Sequence, residues 1–159
     1  MFLGCSSRTV ADTIDNLRGL IIESLNNDDT VIGGEGIVIE IDEAKFGKRK
    51  YSRGHLVEGA WVLGGVERTP ERKVFLKVVE QRGAGTLLPI ILQHVAPGSV
   101  IHTDLWRAYA ELSDNGYVHR TVNHSMNFRD PQTGTHTNTI EGTWNGIKLN
   151  IAPRERGKN

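Results

Sequence analysis

One segment, Gly36-Ile37-Val38-Ile39-Glu40-Ile41-Asp42-Glu43, gives the strongest indication of the fold. Its β-branched and apolar residues predict a strand that is buried on at least one face. Because side chains alternate along a strand, Glu40 and Asp42 share one face and Glu43 points to the other. We therefore expect Glu40 to support Asp42 from one pleat back, and Glu43 to be structural.

The sequence after this strand predicts a mixed sheet. The further elements are strand, strand, helix, strand, short helix, strand and helix, over residues 57–66, 73–79, 86–95, 99–104, 106–112, 117–123 and 138–150. The first three strands would form an antiparallel meander, and a strand that follows a helix is favoured to return parallel. The predicted class is α/β, with a mixed five-stranded sheet (three antiparallel strands, then alternating helix and strand) flanked by helices.

Composition narrows the class of protein. The chain has 159 residues, of which 38% are hydrophobic and 24% charged, which suits one domain or at most two. Its single cysteine, Cys5, excludes an internal disulfide framework and a four-thiolate zinc site, and it fits a reducing intracellular compartment. No apolar run approaches the roughly 18 residues of a membrane helix, so no membrane association is expected.

Charge is unevenly distributed along this formally neutral chain. Residues 1–43 hold nine acidic and two basic groups, whereas residues 44–159 hold 17 basic and 10 acidic groups. Five cations are concentrated in one short segment: Lys45, Lys48, Arg49, Lys50 and Arg53. A dense basic stretch with an aromatic residue inside it can bind the phosphate backbone of DNA. A solvated hairpin or loop is the open alternative.

Three carboxylates are predicted to meet at one edge of the sheet. Asp42 ends the first strand and Asp104 the fourth, and neighbouring parallel strands would bring both to the same edge. Glu141 lies in the first turn of the last helix. Hard oxygen ligands of this kind select Mg²⁺ or Mn²⁺, and two such ions about 4 Å apart can bind the attacking and leaving oxygens of a phosphodiester. Taken singly, each acid has an ordinary alternative role as a turn, cap or helix-dipole residue.

The last predicted helix has two distinct faces. Ile140, Trp144 and Ile147 recur at spacings of four and three and predict an apolar face for the core. A second, polar face carries residues that could act at metal or DNA: Asn138, Glu141, Asn145 and Lys148. Lys148 stands two turns beyond Glu141, about 10 Å along the helix axis, where a cation could hold a DNA phosphate.

Histidines and tryptophans receive supporting roles. His124 and His136 are expected to order the loop before the last helix or to contact DNA. Together with His119 they are too irregularly spaced to predict a zinc site in a chain without suitable cysteines. Burial in the core is favoured over base stacking for the three tryptophans, Trp61, Trp106 and Trp144.

Six ordered motifs within residues 31–150 are similar to those of one transposase family. They are Val38-Ile39-Glu40-Ile41-Asp42-Glu43-Ala44-Lys45-Phe46-Gly47, Gly64-Gly65-Val66-Glu67-Arg68, Leu87-Leu88-Pro89-Ile90-Ile91, His102-Thr103-Asp104-Leu105-Trp106-Arg107-Ala108-Tyr109, Val122-Asn123-His124-Ser125 and His136-Thr137-Asn138-Thr139-Ile140-Glu141-Gly142-Thr143-Trp144 through Lys148. The chain thereby resembles DDE transposases of the Merlin superfamily and the related bacterial insertion-sequence transposases with an ISXO-type transposase domain.

The resemblance implies an RNase H-like fold and cut-and-paste DNA transposition. It implies that Asp42, Asp104 and Glu141 form the catalytic, metal-binding triad, and that Lys148 is the basic residue following the glutamate. The expected partners are transposon ends and target DNA, and the active form is expected to be a homo-oligomer. The expected location is intracellular: the nucleus of a eukaryote or the cytoplasm of a prokaryote.

Three segments are predicted along the chain. Residues 1–30 form an N-terminal helix and linker, residues 31–150 the RNase H-like catalytic domain, and residues 151–159 a C-terminal tail whose early end would fit a truncated copy. Two alternatives stay open at this point. One is a nuclease without strand transfer, and the other is a catalytically silent or truncated DNA-binding protein derived from a transposase.

Overall fold

The structure, a computed structural model, describes residues 30–46, 60–123 and 129–151. Its elements follow in chain order: β1 (Ile32–Gly33), β2 (Val38–Phe46), β3 (Ala60–Glu67), β4 (Val74–Val79), α1 (Ala84–His94), β5 (Val95–Ala96), β6 (Val100–Asp104), two 3₁₀ turns (Arg107–Tyr109 and Ser113–Asn115), β7 (Val118–Val122) and α2 (Asn138–Ile151). No helix in these ranges is both long and apolar enough to cross a membrane.

The central sheet has five strands in the spatial order β4–β3–β2–β6–β7. β3 runs antiparallel to both β2 and β4, whereas β6 runs parallel to both β2 and β7. The parallel return of β6 requires a long crossover, and α1 supplies it. The mixed five-stranded α/β sheet predicted from the sequence is confirmed.

Helices cover both faces of the sheet. One face packs beneath α1, in a core that includes Ile39, Ile41, Leu63, Phe75, Leu87, Ile91 and Ile101. The opposite face packs beneath α2, whose Ile140 and Trp144 contact a smaller cluster formed by Ala44, Val62 and Val66. The two layers explain the alternation along β2: Ile39 and Ile41 pack beneath α1, whereas Glu40, Asp42 and Ala44 face α2.

Two predicted elements take a different form. Residues 106–112 are not a regular helix: the amides of Tyr109, Ala110 and Leu112 donate to carbonyls three residues back, so the segment forms a tight 3₁₀ turn. Val95, predicted at the end of a helix, is extended and pairs with Ile32 in a two-stranded parallel ribbon. At Val95, pairing with a segment distant in sequence outweighs the local helical pattern.

Candidate active site

Asp42 and Asp104 lie on the adjacent parallel strands β2 and β6, toward the carboxyl ends of both. Glu40 lies opposite His102 in the parallel pair of β2 and β6, so the same register two residues on sets Asp42 beside Asp104. Adjacent strands are about 4.8 Å apart. The sequence predicted that this strand ends at Asp42. In the structure β2 continues to Phe46, because its last residues still pair with β3. Asp42 stands just beyond the last paired position of β2 and β6.

The three predicted acids share one electrostatic environment. The pKa of Asp42 is raised to about 6, mainly by burial and to a smaller extent by the negative charges of Asp104 and Glu141. Hydrogen bonds from the Glu43 amide and the Trp144 indole oppose this effect by favouring the ionised carboxylate. The ionised form of the Asp42 carboxylate is therefore disfavoured relative to a carboxylate in water.

Each of these carboxylates accepts a hydrogen bond from a neighbouring protein group. The pairs are Trp144 Nε1 to Asp42 Oδ2 (3.1 Å), the Trp106 amide to Asp104 Oδ1 (2.8 Å) and Thr137 Oγ1 to Glu141 Oε1 (3.0 Å). Across the described ranges, no three His, Cys, Asp or Glu side chains are gathered closely enough to hold a metal ion in this arrangement. The acids thus interact through their charges without forming a closed ligand cluster.

Glu40 binds the first turn of α2 from the neighbouring strand. Its carboxylate is fully buried, and its Oε2 accepts the amides of Thr139 (2.8 Å) and Ile140 (2.9 Å). The first amides of a helix have no partner within the helix, and a negative charge at this end is also attracted to the positive end of the helix dipole. Since Glu40 is two residues from Asp42, this contact fixes the start of the Glu141 helix against the Asp42 strand.

Arg68 and His136 complete the support around Glu40. Arg68 donates from Nε to Glu40 Oε1 and from Nη2 to the His136 carbonyl (2.6 Å). His136 Nδ1 lies 3.5 Å from Glu40 Oε1 and accepts the Asn138 amide at 3.3 Å. Burial lowers the pKa of His136, and the positive charge of Arg68 lowers it further. The loop before α2 is therefore connected to β2 through the partly buried ion pair of Arg68 and Glu40.

Gly64 makes room for the indole that contacts Asp42. It lies opposite Asp42 in the β2–β3 pair, and a Cβ atom there would stand 2.5 Å from Cη2 of Trp144. Only a residue without a side chain lets this ring lie directly against β3. The Gly64-Gly65 motif is visible in the sequence, but nothing local indicates that its role is to seat Trp144.

Comparison with known proteins assigns the family. Residues 22–152 match the ISXO2-like transposase domain. The chain belongs to that family. A Haemophilus influenzae protein described as an "uncharacterized transposase-like protein" is 35% identical over 79 residues, which are 50% of this chain and 63% of that protein. The match supports the ISXO-type relationship, whereas membership of the Merlin superfamily stays a prediction.

Four of the residues predicted to bind DNA lie in the described part of this ISXO2-like domain. Asn138, Asn145 and Lys148 are exposed on α2, and Lys148 Nζ lies 5.7 Å from the ring centre of Phe46. Lys45 Nζ lies 5.6 Å from the ring of Trp61. The other predicted site residues fall outside the described ranges: Lys48, Arg49, Lys50, Arg53 and His124.

The second face of this transposase domain carries Glu43. As alternation predicted, Glu43 points away from Asp42; it accepts a hydrogen bond from the Tyr109 hydroxyl and lies 4.0 Å from Arg82 Nη1. Burial raises the pKa of Glu43, and the hydrogen bond from Tyr109 opposes that rise. Glu43 therefore anchors the turn that follows Asp104 and fixes Arg82 at the surface.

The tryptophans of this domain do not share one environment. Trp144 is 3% exposed, as expected of a core residue. Trp106 is 43% exposed, so the core prediction is wrong for it. Its backbone is extended and lies two residues beyond Asp104, where β6 has ended.

Proposed function

We propose that this chain is the catalytic domain of a DDE-type transposase with an RNase H-like fold, which cleaves DNA strands and transfers the ends to target DNA. The observation that carries the proposal is the placement of three acids. The register of β2 and β6 sets Asp42 beside Asp104, and Glu40 holds the first turn of α2, which carries Glu141, against β2. Membership of a transposase family supports the proposal. The strand order is compatible with an RNase H-like sheet.

The donor set fits divalent cations. Carboxylate oxygens are the ligands that Mg²⁺ and Mn²⁺ prefer, and a cation would offset both the burial of the Asp42 carboxylate and its repulsion by Asp104 and Glu141. Asp42, Asp104 and Glu141 would hold the metal, and we propose two ions. When bound, such ions stabilise negative charge on the phosphate and lower the pKa of the attacking water or hydroxyl.

The remaining residues of the site orient ligands and substrate. Glu40 and Arg68 fix the first turn of α2, so Glu141 is presented toward the Asp42 strand. Trp144 orients the Asp42 carboxylate. The exposed polar face of α2, with Lys148 two turns beyond Glu141, would bind the phosphate backbone of transposon ends and target DNA inside the cell. The active form would be a homo-oligomer that brings two ends together.

A supercoiled-plasmid nicking assay with Mg²⁺ or Mn²⁺ tests the cleavage step, and pre-cut DNA ends with a free 3′-hydroxyl test strand transfer. The wild type should nick and join. Asp104→Asn should do neither, while its matched control Asp114→Asn, an exposed acid in the second 3₁₀ turn, should match the wild type.

Each other result has one meaning. Nicking without joining would identify a nuclease. DNA binding without nicking would identify a catalytically silent descendant of a transposase. Full activity of Asp104→Asn would contradict the proposed site.

A further inference from the structure

Tryptophans and cations alternate from Asp104 toward the basic segment. Arg82 Cζ lies 4.9 Å from the ring centre of Trp106 and 3.8 Å from that of Trp61, and Lys45 Nζ lies 5.6 Å from the same Trp61 ring. Arg82 thus bridges two indoles, one beside Asp104 and one on β3. We call Trp106, Arg82, Trp61 and Lys45 the Trp–cation row.

Hydrogen bonds hold the row in a fixed position. The amide of Trp106 donates to Asp104 Oδ1 at 2.8 Å, and its indole Nε1 donates to the Arg82 carbonyl at 3.2 Å. Glu43 lies beneath, with a side chain only 3% exposed, and stands 4.0 Å from Arg82 Nη1. Because Arg82 keeps 36% of its side-chain exposure, the guanidinium is positioned from below and still reaches solvent.

The outer end of the row is apolar and exposed. Trp106 is 43% exposed and its neighbour Leu105 is 59% exposed, directly after an acid of the candidate active site. Adjacent exposed apolar side chains with charged groups at their border commonly mark a binding surface. The ring of Trp61 is instead contacted by two cations, so its part is to hold Arg82 and Lys45.

We propose that the Trp–cation row binds unpaired nucleotides of single-stranded DNA beside the strand to be cut. One base stacks on Trp106, and phosphates of the same strand contact Arg82 and Lys45. The inference rests on the proposed function, which supplies the DNA strand.

The chemistry of the row favours a single strand over a duplex. In a duplex each base face is covered by its neighbours, whereas an unpaired base can stack on an indole without any requirement for its identity. A guanidinium offers planar N–H donors that match a phosphate, and lysine adds a point charge. Alternating aromatic and cationic groups therefore suit alternating bases and phosphates.

Fluorescence anisotropy with a labelled oligothymidylate and a duplex of equal length measures the preference. Trp106→Ala should weaken single-strand binding by about 5- to 150-fold and leave duplex binding nearly unchanged. Trp106→Phe, which keeps an aromatic face, should recover part of the affinity. Arg82→Gln should weaken binding and flatten its salt dependence by about 0.7 in log–log slope for each phosphate that the variant no longer neutralises.

Two matched controls have the same kinds of side chain outside the row. Leu92→Ala removes an exposed apolar group, and Lys73→Gln removes an exposed cation that pairs with Glu71. Both should bind single strands like the wild type. Circular dichroism and thermal melting report whether each variant is folded.

A series of oligonucleotides, each with one abasic site at a different position, tests whether a base stacks on Trp106. This test can be made on the wild type without any variant. Binding should fall at one position, and Trp106→Ala should remove that position dependence. Uniform affinity across the series, or equal losses of duplex and single-strand binding in Trp106→Ala, would overturn the inference while nicking still upheld the proposed function. A wild type that binds neither form of DNA would overturn both.

Discussion

Glu40, a strand residue, accepts hydrogen bonds from two of the first amides of α2. Thr137, directly before the helix, donates its hydroxyl to Glu141 Oε1. The start of α2 is therefore capped by a residue that lies 99 and 100 positions before the two amides it binds. Local sequence could place Glu40 on the Asp42 face, but it could not reveal this partner.

Glu40→Ala should lower the free energy of unfolding by about 1–3 kcal/mol, because two helix amides and the partly buried Arg68 lose their acceptor. Glu40→Gln should lose less, since its amide oxygen can still accept. Hydrogen exchange at the Thr139 and Ile140 amides should accelerate in the alanine variant. The control is Glu71→Gln, an exposed ion-pair acid whose removal should change stability by under roughly 1 kcal/mol. Unaltered exchange at both amides would refute this role.

His102 should make stability depend on pH. Its pKa is lowered to about 4, mainly by burial and also by the positive charges of Arg68 and Arg120, while the negative charge of Glu40 opposes the fall. The unfolded chain therefore binds a proton near the ordinary pKa of 6.5, and the folded chain only near 4. Stability is complete above about pH 6.5 and falls as the pH drops toward 4, by up to about 1.4 kcal/mol per pH unit. In urea titrations between pH 7 and 5, His102→Gln should show a shallower fall; an identical fall would contradict the assignment.

At the scale of elements, Gly64 sets how closely α2 approaches the sheet. Gly64→Ala would place Cβ 2.5 Å from Trp144, so the indole and the Asp42 contact must shift. Overpacking of this kind should destabilise by about 1–3 kcal/mol in urea unfolding. Gly85→Ala, in α1 with nothing within 4 Å of the added carbon, should instead stabilise by up to about 1 kcal/mol. Equal effects of the two substitutions would show that Trp144 does not lie against Gly64.

Local patterns predict the elements better than their long-range connections. Apolar alternation and turn residues indicate the strand that carries Asp42, and the helix between β4 and β6 indicates the parallel return. The pairing of Val95 with Ile32, the extension of β2 to Phe46 and the exposure of Trp106 were not predictable. Each depends on which distant segment lies alongside, and such contacts leave no periodic signal.

At the scale of the whole molecule, a bound cation should stabilise the fold. A ligand that binds only the native state at 100 times its dissociation constant adds about 2.7 kcal/mol, or roughly 5–10 °C in melting temperature for a chain of this size. Mg²⁺ or Mn²⁺ should raise the melting temperature of the wild type and of Asp114→Asn. Asp104→Asn should melt higher than the wild type without metal, because like charges are removed near Asp42, and should respond less to metal. Equal metal responses in all three proteins would exclude Asp104 as a ligand.

The contact between Glu40 and the first turn of α2 also affects when, during synthesis, the candidate active site is complete. Contacts between segments so far apart in sequence form slowly, because a long loop must close before they contribute. During synthesis the β2–β4 meander and then β6 can assemble while α2 is still being made. A ribosome-bound chain that already carries Asp42 and Asp104 still lacks Glu141. Under the proposed function, a nascent chain cannot cut DNA until its last helix has been translated and docked.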